Sequence, residues 1–283
     1  MSDGEFKEVE LHSDGLVRLL DVMGSDDDVV DAARISYGKG TKKVSETRNL
    51  IRYLMRHKHT SPFEMCEVKF YLKLPIFIMR QIVRHRTANL NEYSGRYSVM
   101  SDDMYMPQDE YIQKQSTTNN QGRGEEIEQK GLVKYEFNRQ YDNALQSYRN
   151  LLDLDVAREL ARSLLPVGNY TEVIWKIDLH NFFHFCKLRM DSHAQVEVRD
   201  YAEAMYHLVY PHFPLCFEAF EHYQRNAVTF SEQEMYVIKE LLHNVDTKTA
   251  IKQCEADYES FNLGKRETDE FLEKIRSTNE LTN

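Results

Sequence analysis

Residues 66 to 74 carry the clearest alternation in the chain: Cys66, Val68, Phe70, Leu72 and Leu74 are apolar, and Glu67, Lys69, Tyr71 and Lys73 stand between them. A period of two belongs to a strand with one buried face, so a strand is predicted here. Weaker alternation around Glu8 to Asp21 predicts another. Ser25 followed by Asp26, Asp27 and Asp28 reads as a helix cap with an acidic first turn, which suits the positive end of the helix dipole and predicts a helix through Ala33. Leu50, Ile51, Leu54 and Met55 form the apolar side of a helix over residues 46 to 57, which the run His57 to Pro62 breaks. Pro75 suits the first position of a further helix, and Ile76, Met79 and Ile82 or Val83 supply a buried stripe that carries it through Arg86.

Beyond Arg86, Asn89, Asn91, Ser94 and Gly95 predict a loop whose backbone amides could help hold an anion. Residues 116 to 131 are polar and glycine-containing and read as a mobile loop. Helical spacing resumes over 132 to 163, up to Leu164-Leu165-Pro166. Trp175, Leu179, Phe182, Phe183, Cys186 and Met190 form another helical stripe, opposite Lys176, His180, His184 and Lys187. Ser192 and Gln195 have capping-box spacing, which predicts a new helix and leaves Arg189 and His193 at a junction. After residue 226 the large apolar clusters thin out, Ser231 and Glu234 mark another helix start, and the tail reads as a helical appendage. No repeat is evident. There is no GxGxxG fingerprint, so any dinucleotide site would not be a Rossmann crevice, and Gly38-Lys39-Gly40-Thr41, lacking the upstream glycine of a phosphate loop, reads as a turn.

Composition narrows the function. With 283 residues and 41% hydrophobic content the chain can bury a substantial core. A net charge of -10 repels nucleic-acid backbones, so a cationic cluster would serve a small phosphate ligand rather than a polymer. The first 25 residues lack the apolar stretch of a secretory signal, and no run approaches the roughly 18 apolar residues of a membrane span, so no membrane association and a cytoplasmic location are expected. Cys66, Cys186, Cys216 and Cys254 are far apart and read as buried free thiols.

The segment Arg84 to Tyr97, RHRTANLNEYSGRY, concentrates cations and hydrogen-bonding groups as a nucleotide anion requires. Gln81 and His85 lie four apart upstream of it, as do Arg80 and Arg84, so polar groups gather beside the apolar stripe. RHR followed by seven residues and Ser94, with Asn91-Glu92 and Arg96-Tyr97 in register, strongly resembles the flavin-dependent thymidylate synthases. The resemblance continues through His57 to Glu64 (HKHTSPFE), Ala161-Arg162 with Leu165-Pro166, and Leu188 to Gln195 (LRMDSHAQ), covering roughly residues 15 to 225. Asn89 stands where the family commonly has serine.

The resemblance implies an α+β fold with a mixed sheet and long helices, a non-Rossmann flavin site, and a homotetramer with active sites at subunit boundaries. Residues 1–225 would form the catalytic domain and 226–283 a helical C-terminal extension. The implied reaction methylates dUMP to dTMP with methylenetetrahydrofolate as carbon donor, NADPH reducing a bound FAD, and tetrahydrofolate leaving. By motif matching, Gln81, Arg84, Glu92, Ser94, Gly95, Arg96, Arg162 and Arg189 would contact dUMP, with Arg189 catalytic; Ser61, Arg84, His85, Arg86, Glu92, Asp178, His180 and His184 would hold FAD. His57 and His59 could help position flavin or substrate. The signature contains no cysteine, and Cys216 reads as a core thiol.

Three other readings fit parts of the chain. His180-x-x-x-His184 with His57-x-His59 could serve a metal hydrolase, but the HExxH glutamate is missing and no metal site is expected. A regulatory module could sense dUMP without turnover. A nucleic-acid binder is opposed by the acidic total.

Overall fold

Two antiparallel strands, β1 (Glu8–Leu11) and β2 (Gly15–Met23), open the chain. The computed structural model describes residues 7–35, 46–117, 122–242 and 264–280. It comprises two compact units, Met1–Arg225 and Asn226–Asn283. The single strand expected over Glu8 to Asp21 is divided by a tight turn, in which His12 adopts a φ of 56°.

Ser25 is indeed the N-cap of α1 (Asp26–Arg34), although its hydroxyl donates to the Asp28 carboxylate at 2.6 Å instead of capping an amide. Next come α2 (Thr47–Arg56), which buries Ile51, Leu54 and Met55, and the single turn α3 (Ser61–Glu64). β3 (Glu67–Pro75) has Val68, Phe70, Leu72 and Leu74 fully buried, as its alternation requires. Pro75 ends this strand and is also the N-cap of α4 (Ile76–Ile82), with no residue between them. The helix expected through Arg86 therefore stops a turn earlier. Arg84, His85 and Arg86 sit in the reversal that delivers the chain to β4 (Ala88–Glu92), where a loop was expected. β5 (Gln113–Gln115) pairs antiparallel with β6 (Arg123–Glu126), which falls within the segment 116 to 131 read as a loop.

The long helix predicted over 132 to 163 is α5 (Lys130–Asp153) followed by α6 (Arg158–Ala161), the break being marked by Asp155 at φ 59°. β7 (Tyr170–Asp178) then runs directly into α7 (Leu179–Arg189). Trp175 and Lys176 therefore lie on a strand, not on the predicted helix; Val173, Trp175 and Ile177 face inward while Glu172 and Ile174 are exposed. Leu179, Phe182, Phe183 and Cys186 are buried on α7 as the stripe predicts. α8 (Val196–Val209) and α9 (Pro214–Phe220) complete the first unit apart from a closing π turn at Glu221–Arg225. The Ser192–Gln195 capping box does not form, because the Gln195 amide is engaged by Gln81 and Glu197.

The sheet order is β1-β2-β3-β7-β4 and every pairing is antiparallel, so the architecture is α+β but the expected mixed sheet is not. β3 and β7 pair along their whole length, from Glu67 opposite Asp178 to Pro75 opposite Tyr170. One face is solvated; the other packs an aromatic core, with Trp175 5.1 Å from Phe185 and Phe183 stacked on Phe220 at 4.7 Å between centroids. Cys66, Cys186 and Cys216 are buried free thiols. Cys254 and Gly38 to Thr41 lie outside the described residues.

In the second unit, α10 (Glu232–Leu242) begins with a formed capping box: the Ser231 amide donates to Glu234 at 2.7 Å and the Glu234 amide to the Ser231 hydroxyl at 3.3 Å. α11 (Lys265–Glu280) follows. Among the described residues no helix is long and apolar enough to cross a membrane.

Candidate active site

The end of β4 turns sharply at Ser94, whose carbonyl accepts the amides of Tyr97 (3.1 Å) and Ser98 (3.2 Å). Gly95 is buried here. A Cβ at this position would stand 2.7 Å from Met100 Sδ and 3.0 Å from Arg162 Cδ, so the absence of a side chain is what admits Arg162. The turn forms one wall of an open cavity of about 670 Å³, whose lining includes Arg80, Glu92, Ser94, Gly95, Glu159 and Arg162. Glu92 accepts the buried hydroxyl of Thr171 at 2.9 Å, and Arg96 reaches Glu159 at 3.2 Å. Asn169 also lines the cavity; its Nδ2 serves the carbonyls of Ser101 and Asp103, while its buried Oδ1 has no partner among the described residues. Two guanidinium groups, a hydroxyl and a tight turn suit a phosphate ester, and the unpaired carbonyl oxygen suits a hydroxyl or N–H of the same ligand.

A second group gathers at the C-terminal end of α4. Arg189, the last residue of α7, donates from Nε to His85 Nε2 at 3.0 Å and from Nη2 to the Gln81 carbonyl at 3.1 Å. That carbonyl, at the end of the helix, also accepts the Arg84 amide at 3.3 Å. His85 is buried, edge-on to Phe185 at 5.0 Å and to His184 at 6.0 Å. Burial, then the charge of Arg189, lowers its pKa to about 4, so it is neutral and accepts from the arginine. Burial and the neighbouring Arg84 lower that of Arg189 in turn, without bringing an arginine near neutrality.

Arg86 and Asp178 line a smaller opening of about 450 Å³ at the start of β4, with Glu64, Asn89, Lys176 and Asn181. Asp178 is the N-cap of α7 and accepts the Asn181 amide at 2.9 Å and its Nδ2 at 2.7 Å. Asn89, where the family pattern has serine, is paired with Lys176 across the sheet in this opening. His180 is half-buried and His184 exposed on α7; Ser61 is exposed at the start of α3.

One chain thus brings Glu92, Ser94, Gly95 and Arg162 to a single cavity with Arg96 at its edge, and Gln81, His85 and Arg189 to another cluster beside Arg84. Arg189, Gln81 and Arg84 do not line the larger cavity, and Ser61 lines neither opening. Glu159, Asn169 and Glu197 escaped the sequence reading. Each acts through a partner more than 60 residues away, so no local spacing signals it.

A family profile described as thymidylate synthase complementing protein matches residues 18–215. The flavin-dependent thymidylate synthase of Ehrlichia ruminantium (strain Gardel) is 46% identical over 277 residues, covering 97% of this chain and 90% of the relative. That alignment reaches into the tail beyond residue 225. The enzyme of the same name from Treponema denticola is 46% identical over 263 residues, 92% of this chain and 99% of its own. Among solved structures, a UMP/dUMP methylase, PolB from Streptomyces cacaoi bound with 5-Br dUMP, superposes with a TM-score of 0.70 at 34% identity, covering 77% of this chain and 99% of its own. The signature, the antiparallel sheet beneath it and these similarities agree: the chain belongs to the flavin-dependent thymidylate synthase family.

Proposed function

We infer that the protein is a flavin-dependent thymidylate synthase converting dUMP to dTMP. The observation that carries this reading is the convergence of Glu92, Ser94, Gly95 and Arg162, from strand, turn and a distant helical turn, on one nucleotide-sized cavity. In this reading Arg162, Arg96 and the Ser94 turn hold the phosphate, and Arg84 adds a further positive charge. Arg189, fixed by His85 and the Gln81 carbonyl, lies against the pyrimidine. There its charge stabilises the negative charge that develops across N3 and the adjacent carbonyl, which makes C5 a nucleophile.

The two clusters of one chain complement each other across subunit boundaries in a homotetramer, the cavity of one protomer facing the Arg189 group of another. FAD, when bound, supplies the hydride chemistry that side chains cannot. Its site, outside any Rossmann crevice, draws on Ser61, Arg84, His85, Arg86, Glu92, Asp178, His180 and His184. The donor set fits such a group at one point: Arg86 in the smaller opening suits a pyrophosphate oxygen, beside Lys176, which is paired with Glu67 at 2.6 Å. His57 and His59, whose rings lie 6.3 Å apart, belong to the same proposal as positioning groups. NADPH is the reductant, methylenetetrahydrofolate the carbon donor and tetrahydrofolate the released product. Residues 1–225 form the catalytic domain and 226–283 an extension, and the enzyme works in the cytoplasm.

The test is the visible spectrum of freshly purified protein, its bleaching by NADPH, and tritium release from C5-labelled dUMP with the folate present. A yellow protein that bleaches and releases tritium supports the reading. A colourless protein that retains zinc, or one that binds dUMP without tritium release, would return it to the hydrolase or the sensor.

A further inference from the structure

Glu197, in the first turn of α8, is almost completely buried, with 2% of its side chain exposed. Its Oε1 accepts from the Tyr105 hydroxyl at 2.7 Å and from Arg123 Nη2 at 2.5 Å, and its Oε2 accepts from Gln195 Nε2 at 2.9 Å. Arg123 comes from the β5–β6 hairpin and is the counter-charge that lets a carboxylate remain ionised here. An ionised carboxylate can only accept. Gln195 is thereby obliged to turn its NH₂ toward Glu197 and its carbonyl oxygen away, and that oxygen takes Gln81 Nε2 at 2.7 Å. The orientation is passed on once more: with its NH₂ committed to Gln195, the Gln81 amide has its Oε1 left to offer. The backbone carbonyl of the same residue holds Arg189.

We propose that Glu197 is a positioning residue for the nucleotide, setting the polarity of the Gln195–Gln81 amide pair so that Gln81 presents an acceptor oxygen to an N–H or O–H of bound dUMP. This rests on the assignment of Gln81 to the dUMP site. Glu197 touches no substrate; it acts through two glutamines whose amides would otherwise be free to flip. A glutamine in its place keeps its oxygen toward the donors Arg123 and Tyr105, turns its NH₂ toward Gln195 and so reverses the direction imposed on the pair.

The experiment is a dUMP titration of the flavin-loaded enzyme, followed by its absorbance, for Glu197→Gln, Gln195→Met and Gln81→Ala and for the double variants that include Gln81→Ala. Glu197→Gln and Gln195→Met should each weaken dUMP binding about tenfold, the loss of roughly one hydrogen bond, with flavin content unchanged. Neither should weaken it further once Gln81 is alanine, because the relay then has no end group. Turnover at saturating dUMP should stay within about twofold of the unaltered enzyme, a split that general loosening of the fold would not give. Gln195 is exposed, so Gln195→Met decides the question should Glu197→Gln fail to fold. Unchanged dUMP affinity in Gln195→Met, or losses that add fully to that of Gln81→Ala, would overturn the relay alone. Failure of the unaltered holoenzyme to bind dUMP would overturn the functional reading, and the relay with it.

Discussion

Arg189 Nε donates to His85 Nε2 across 3.0 Å, so the guanidinium assigned to catalysis is held by an imidazole that must remain neutral. Burial and the charge of Arg189 together push the His85 pKa down to about 4, against 6.5 for a free histidine. Between those values the unfolded chain binds a proton that the folded chain does not. Stability therefore falls as pH drops through that window, and above it this contribution is complete. His85→Gln, which keeps an acceptor but does not titrate, should remove about 1–2 kcal/mol of the difference in unfolding free energy between about pH 5 and about pH 7.5, read from urea denaturation. An unaltered pH slope would show that another group carries the acid sensitivity.

At Gly95 the prediction separates binding from folding. Alanine there meets Met100 Sδ and Arg162 Cδ, both on side chains that can move, so the fold should survive at a cost of about 1 kcal/mol. Arg162 is displaced from the cavity wall, however, and dUMP affinity should fall about tenfold or more. Calorimetric titration beside a thermal melt tests both halves; full affinity would mean that Arg162 does not hold the nucleotide.

Arg189→Ala and Arg86→Ala should fail in different ways. The first should keep its flavin and lose methylation by about a hundredfold or more, as expected for a group that stabilises developing charge. The second should lose flavin first. Flavin absorbance per protein and tritium release, measured on both, would refute the division of roles if both variants retained flavin and turned over normally.

Asp26 supports the fold from a distance. Its buried carboxylate accepts the amides of Leu215 at 2.8 Å and Cys216 at 3.0 Å, so a residue of α1 caps the start of α9. Asp26→Ala leaves two amides without acceptors and should cost about 2 kcal/mol in denaturant unfolding. A loss within about 0.5 kcal/mol would mean that water replaces the cap at little cost.

The second unit offers a simpler test. A chain ending at Arg225 should still release tritium from labelled dUMP, because the residues assigned to both ligands lie before that point. Loss of activity together with loss of the proposed tetramer would give the tail a structural part in the enzyme.

Some elements were legible because local chemistry and tertiary context agree. β3 is one: its apolar residues alternate and its strand is buried on one face. Ser231 and Glu234 are another, since nothing nearby competes for the capping box. β4 was hidden because Asn89 and Asn91 read as loop; only its pairing with β7 makes it a strand. Trp175 misled because it stands four residues before Leu179, mimicking a helix repeat across a strand–helix boundary. Ser192 and Gln195 had the right spacing, but Glu197 and Gln81 outcompete a local cap. Glu92, Ser94, Gly95 and Arg162, which line the larger cavity, were named through the family signature, whereas Glu159 and Asn169 were not; that the named residues divide between two clusters was not legible, because chain order carries no information about which side of α4 a distant arginine reaches.

The two strand-to-helix junctions, Pro75 to Ile76 and Asp178 to Leu179, contain no spare residue. An insertion at either would spin the following helix by about 100° about its axis. Gln81 or Arg189 would then face the wrong way, although every side chain needed for chemistry was still present. The distance from sheet to guanidinium is therefore counted in whole residues and tolerates no error.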